Sequence, residues 1–266
     1  MARPPRPGWL PERLFFYSML ISDLFRLAAK GSAAAALLLL SFTASAQNAG
    51  RPRLGLKTGL MLSRLTGNDV DQLGGENYRT RTDGRRPDFF VSLASTIPLS
   101  STGVFTVAPE LSFSRKGYRM TNTSLTTTGL EAGESQRVLL VKRRLNYLEL
   151  PLAFRVNTNG GLYFELGPQV SYLIGSQTET ETTRTFADGR EATTTNSTAS
   201  STSDVQAFDF GAIGGMGFQH RSGLTMGLRY SRGFKTVIER DALPGKPITN
   251  NDAIVVQVGY LLQLGK

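Results

Sequence analysis

Residues 143–175 read RRLNYLELPLAFRVNTNGGLYFELGPQVSYLIG, and this stretch limits what the chain can fold into more than any other. Two alternating runs flank Asn159-Gly160. In the first, Leu148, Leu150, Leu152, Phe154 and Val156 oppose Tyr147, Glu149, Pro151, Ala153 and Arg155. In the second, Leu162, Phe164, Leu166, Pro168, Val170, Tyr172 and Ile174 oppose Glu165, Gly167, Gln169 and Ser171. A period of two predicts strands, and Asn-Gly is a strong hairpin signal. Both runs exceed the roughly five or six residues of a typical strand. A long strand with one apolar face and one charged, glycine-bearing face suits a transmembrane barrel, with lipid outside and polar groups inside.

The same alternation recurs at 53–65, 88–98, 103–118, 205–219, 223–236 and 252–264, which makes eight strands. The connections alternate between long (66–87, 119–141, 176–204, 237–251) and short (99–102, 158–160, 220–222). Outer-membrane barrels show that asymmetry, with tight periplasmic turns and long outer loops, and an even strand number puts both termini on the periplasmic side. The expected fold is therefore an all-β, eight-stranded antiparallel up-and-down transmembrane barrel. Residues 176–204 are mostly Ser, Thr and charged, so a mobile loop with no core is expected there. About ten residues per strand, at roughly 3.3 Å each and a tilt near 40°, give an apolar band about 25 Å tall.

The chain begins with a different pattern. Residues 26–46 place Arg26 and Lys30 before an apolar run, Ala33 to Leu40, and then Ala44-Ser45-Ala46. That order predicts a cleavable signal peptide, so 1–46 is read as an N-terminal extension with its signal and 47–266 as the barrel domain. Residues 1–18 are rich in Pro and Arg, so translation is expected to start at Met1 or Met19. Five bases and two acids precede Gln47, so +3 of the formal +9 belongs to the leader and +6 remains. No basic run longer than Lys142-Arg143-Arg144 appears, which argues against a nucleic-acid partner. There is no Cys and a single His, so neither disulfides nor a usual zinc site is expected.

Seven charges take the inward parity: Lys57, Glu110, Glu149, Arg155, Glu165, Asp209 and Arg229. An eight-strand interior is just wide enough for side chains, so these are expected to pair as a structural network filling the lumen. The sharper possibility is a Glu149/Glu165 acid–base pair for sugar cleavage, which needs a substrate cleft in that lumen. The run Gly211-Ala-Ile-Gly214-Gly215-Met-Gly217 superficially resembles a dinucleotide loop, but no helix follows it. Its glycines are read as room for bulky lumen neighbours.

Several segments together resemble one family. They are Leu54-Gly-Leu-Lys-Thr-Gly-Leu-Met-Leu-Ser, Tyr147-Leu-Glu-Leu-Pro-Leu, Leu166-Gly-Pro-Gln-Val-Ser-Tyr-Leu, Phe208-Asp-Phe-Gly, Leu228-Arg-Tyr-Ser-Arg-Gly-Phe and Val258-Gly-Tyr-Leu. In this order they are similar to the PorT-like outer-membrane β-barrel proteins of Bacteroidota, over nearly all of 52–265. The resemblance implies an eight-stranded barrel, and its founding member is linked to type IX secretion. The end, Leu264-Gly265-Lys266, lacks the terminal aromatic often seen in such barrels.

The expected function is a non-enzymatic barrel that needs no cofactor or metal and sits in outer-membrane lipid. Its loops would meet surface ligands or proteins of the secretion machinery. The runner-up is an embedded hydrolase or acyltransferase at the outer rim, using residues such as Asp69, Asp71, Ser176 or Asp204. A soluble barrel with its apolar face turned inward is the third possibility.

Overall fold

A computed structural model describes residues 51–67, 70, 73–75, 77–198, 205–238 and 249–264. The predicted signal peptide and the last two residues lie outside them. The strands are β1 (Arg53–Thr66), β2 (Tyr78–Thr82), β3 (Arg86–Pro98), β4 (Phe105–Ser124), β5 (Glu134–Asn157), β6 (Leu162–Phe186), β7 (Glu191–Thr198), β8 (Phe208–Gln219), β9 (Leu224–Gly233) and β10 (Asn250–Gln263). Every pairing is antiparallel. Eight strands run in the order β4-β3-β1-β10-β9-β8-β6-β5, and β5 pairs back to β4. The ring is therefore closed, and its seam is the long β1–β10 ladder from Arg53↔Gln263 to Thr66↔Asn250. Closure leaves no strand edge facing lipid, where each unpaired backbone group would cost several kcal/mol.

The wall follows the alternation in the sequence. Leu56, Leu60, Phe89, Leu150, Phe164, Leu166, Met226, Leu228 and Val256 are exposed on the outside, Leu166 to 68% and Leu60 to 62%. Their neighbours one residue along, among them Lys57, Glu149, Glu165, Arg229 and Gln257, are buried inside. Tyr147 and Tyr163, which take the inward parity, point into the lumen and are fully covered.

Three features differ from the sequence reading. First, the hairpin at Asn159-Gly160 has no left-handed residue at either position; the positive φ falls on Gly161 (90°). The other two short turns match it, with Gly103 at 68° and Gly223 at 104°. Each turn is closed by the glycine N–H donating to the carbonyl three residues back, on Ser100, Thr158 and His220. The operative signal is a glycine in fourth place, where a Cβ would be strained.

Second, β4, β5 and β6 run well past their expected ends, and 176–198, the described part of the expected loop, is not structureless. β6 pairs with β5 as far as Glu134↔Phe186, and β7 returns along it from Thr185↔Glu191 to Thr178↔Thr198. β2 likewise pairs with the end of β4. The repeated threonines are β-branched and favour strands, so no apolar core is required to hold an extended ladder. Third, Val205 makes only an isolated bridge with Ile238, and the following strand starts at Phe208.

The long-hairpin end of the lumen is capped by an apolar cluster. Leu65, Tyr118, Met120, Leu145, Tyr147 and Leu173 from the strands pack with Val70, Leu73, Val205, Val237 and Ile238 from the connections. Parts of three long connections are therefore pinned into the barrel mouth.

At the hairpin above, Glu134 accepts from Arg137 Nε at 2.9 Å, from Arg137 Nη2 at 2.6 Å and from the Glu131 amide at 2.8 Å. The Arg137 hydrogen bond is the main reason that the Glu134 carboxyl sits below its usual range, with the Glu131 amide assisting. A depressed folded pKa contributes stability above the unfolded value and loses it as pH falls through the folded one. Amide protection over residues 131–137, corrected for intrinsic exchange, should fall across the acid range, and Arg137→Gln should flatten that dependence. For the wall, Leu60→Arg or Leu228→Arg should destabilise the barrel by about 2–4 kcal/mol in guanidinium titrations in phospholipid vesicles.

Candidate functional site

Inside the capped ring, five predicted charges form one cluster spanning β1, β4, β5, β6 and β9. Lys57 pairs with Glu110. Glu110 also accepts both terminal nitrogens of Arg229, at 2.9 Å each. Arg229 Nε turns to Glu165 at 2.6 Å, and Arg155 Nε reaches the other Glu165 oxygen at 2.9 Å. The Arg155 guanidinium lies 4.3 Å from the centre of the Tyr163 ring. Bidentate guanidinium–carboxylate pairing supplies geometry as well as charge compensation, which isolated buried ions lack.

Glu149 belongs to a second group. It binds Lys116 at 2.6 Å and accepts from Gln169 at 2.8 Å and Ser171 at 3.0 Å. Lys116 was not among the expected lumen charges, although two further steps of the alternation from Ser112 reach it. With Lys116 added to the seven expected charges, the set holds four bases and four acids. Asp209 joins neither group; it accepts the Lys235 amide at 3.0 Å and lies against Gly233.

This arrangement separates Glu149 from Glu165. The two carboxylates engage different cations in different groups, and both are buried.

Within the Gly211–Gly217 run only Gly217 makes close room for a bulky lumen side chain, while Gly211 and Gly215 lie against the backbone of β9; other inward glycines do make such room. A Cβ on Gly217 or Gly227 would strike the Tyr163 hydroxyl, one on Gly259 would strike Lys57, and one on Gly233 would strike Asp209. No helix follows the Gly211–Gly217 run; β8 continues to Gln219 and turns into β9.

The rim residues offered for an enzyme do not assemble among the described residues. Asp69, Asp71 and Asp204 lie outside them, and the Ser176 hydroxyl accepts from Arg143 Nε at 3.1 Å. Among the described residues, no group of three or more His, Cys, Asp or Glu is placed to hold a metal. His220 Nδ1 lies 2.8 Å from the Ser222 hydroxyl within its own turn. A basin of about 680 Å³ opens at the short-turn end, bordered by Arg53, Asn157, His220 and Arg221.

A family model described as outer membrane protein beta-barrel domain matches residues 45–239. The chain belongs to this family. As an outer-membrane β-barrel it resides in the outer membrane, with its apolar wall in lipid. No curated protein matches the sequence. Solved outer-membrane barrels are similar at low identity. The attachment invasion locus protein Ail of Yersinia pestis is 10% identical, with 80% of this chain and 100% of that one covered at a TM-score of 0.38. OprG of Pseudomonas aeruginosa is 13% identical, with 82% and 98% covered at 0.39. The outer membrane protease OmpT of Escherichia coli is 7% identical, with 80% and 97% covered at 0.31.

Truncating one partner of the buried cluster strands the others. Glu110→Gln leaves three cations facing Glu165 alone and should cost about 3–5 kcal/mol of stability, read by denaturant titration of the refolded barrel. Replacing Asp209, which accepts from the backbone amides of Lys235 and Phe234 and pairs with no cation of the cluster, with Asn should cost markedly less in the same titration.

Proposed function

We propose that this outer-membrane barrel is non-enzymatic and works as a rigid, plugged anchor that presents surface hairpins for binding. The reading rests on one observation: the lumen is filled across its width. Salt bridges occupy its middle and an apolar cap occupies the long-hairpin end. Among the described residues, side chains so engaged stand in the way of a solute conduit or a buried substrate cleft, which supports the reading. What rises beyond the wall is paired strand: the ends of β4, β5 and β6, with β7 folded back on β6. Binding residues commonly sit on projecting segments over a rigid scaffold.

The turns support the orientation proposed for the barrel. The three short turns, the start of β1 and the end of β10 share one end of the ring, where the Leu264 amide donates to the Pro52 carbonyl at 2.8 Å. Short turns face the periplasm in such barrels, so both termini lie there and the long hairpins face outward. The PorT-like segments favour a protein partner, with support of type IX secretion as the specific role.

Replacing residues 178–198 with a short Gly/Ser link tests the reading. The shortened barrel is expected to reach the outer membrane and keep its heat-modifiable mobility. The cell is expected to lose surface delivery of secreted proteins as a full deletion does. Normal secretion in both strains contradicts the secretion role. Turnover of an ester or peptide substrate by the refolded full chain contradicts the non-enzymatic reading.

A further inference from the structure

The outer wall carries one charged row that the lumen does not use. Arg64 on β1 stands in register with Asp252 on β10, and Asp252 stands in register with Arg232 on β9. Arg85, just before β3, reaches across the same row. Its Nη1 lies 2.5 Å from Asp252 Oδ1 and donates to the Leu62 carbonyl at 3.1 Å. Arg64 Nη2 lies 3.7 Å from Asp252 Oδ2, and the Tyr230 hydroxyl donates to that oxygen at 2.8 Å. Two guanidinium groups thus hold one carboxylate, and a third, Arg232, stands beside it in register and bonds the Tyr230 hydroxyl, leaving a local excess of two positive charges. The Asp252 side chain is covered, whereas Arg64 is 47% exposed and Arg232 is exposed.

The position of the row gives this excess a meaning. Two residues further along the same strands stand Leu62, Ile254 and Tyr230, all on the outer face. That step is about 7 Å. Two residues beyond those come Leu60, Val256 and Leu228, fully in the apolar wall. Tyrosine at such a level marks the headgroup region of a bilayer. An anion seated on the row therefore meets acyl chains directly below it. A lipid whose headgroup carries a phosphate satisfies both surfaces at once, and guanidinium groups match phosphate oxygens through paired N–H donors.

We infer that Arg64, Arg85 and Arg232 form a binding site for the phosphate of an anionic lipid headgroup, with Asp252 spacing the three guanidinium groups. The inference rests on the outer wall facing lipid and is independent of the surface-hairpin role, so a failed secretion test leaves it standing.

The test uses the full refolded chain in phosphatidylcholine vesicles containing a minor fraction of either phosphatidic acid or diacylglycerol with the same acyl chains. Retained lipid is counted by native mass spectrometry. Phosphatidic acid should be retained over diacylglycerol. The variant Arg64→Gln/Arg85→Gln/Arg232→Gln/Asp252→Asn, which also removes the carboxylate that would be stranded, should lose retention by at least about fivefold, the effect of one basic side chain near an anionic surface. A control with three cations removed elsewhere, Arg79→Gln/Arg81→Gln/Arg190→Gln, should retain as the parent does.

Equal retention in the row variant, or an equal loss in the control, overturns the site. Displacement of phosphatidic acid by millimolar inorganic phosphate overturns the lipid as its occupant. Should the row variant fail to fold, a photoreactive phosphatidic acid analogue on the unaltered chain decides. Cross-links to residues 62–64 or 230–232 support the site, and cross-links confined elsewhere overturn it.

Discussion

A backbone amide or carbonyl in hydrocarbon has no water to bond, and leaving one unpaired costs several kcal/mol. Every other property of this barrel depends on how the chain meets that constraint. It joins its first and last strands through fourteen paired positions and returns β5 to β4, so the ladder has no end within the wall. Once closed, the ring has two surfaces of opposite character, and the two-residue period assigns each side chain to one of them. Lipid solvates one surface. The other encloses a space too narrow for bulk water, so charges placed there must find partners within it.

That second demand explains the interior. Glutamates and cations from five strands interlock, and bulky lumen residues such as Tyr163 lie over glycines whose missing Cβ makes the approach possible. Toward the long hairpins the inward positions turn apolar. Leu65, Tyr118, Leu145 and Leu173 continue the same inward parity and collect Val70, Leu73, Val237 and Ile238 from the connections. The mouth of the barrel is thus a small hydrophobic core, and it ties parts of the connections to a rigid base.

Much of the ring could be read from alternation, because an apolar residue facing lipid and a charge facing the lumen contrast at each step. Lys57, Glu110, Arg155, Glu165 and Arg229 were legible in this way, and their positions in the ring bring them together. The reading weakened where the contrast vanished. Beyond the wall both faces of β6 and β7 are mostly Thr, Glu and Ser, so no apolar period marks them as strands, and backbone pairing with β-branched residues sets their structure instead. Lys116 was reachable by counting two steps further along β4. Val70 and Leu73 stand isolated among polar residues, and nothing local shows that they are drawn into a core. The partners within the interior, Glu149 with Lys116 rather than Glu165, depend on strand stagger across the ring, which single-strand patterns do not contain.

The account turns on the direction of the apolar side chains, and the chain's lack of Cys makes that directly measurable. Spin labels would be placed one at a time by Leu60→Cys, Phe164→Cys, Met226→Cys and Val256→Cys in the barrel refolded into vesicles. Collision with oxygen, which concentrates in acyl chains, is then compared with collision with a water-soluble nickel chelate. The account predicts high oxygen and low nickel accessibility at all four positions. Labels that collide freely with nickel, or that are shielded from both reagents inside a packed centre, would contradict it.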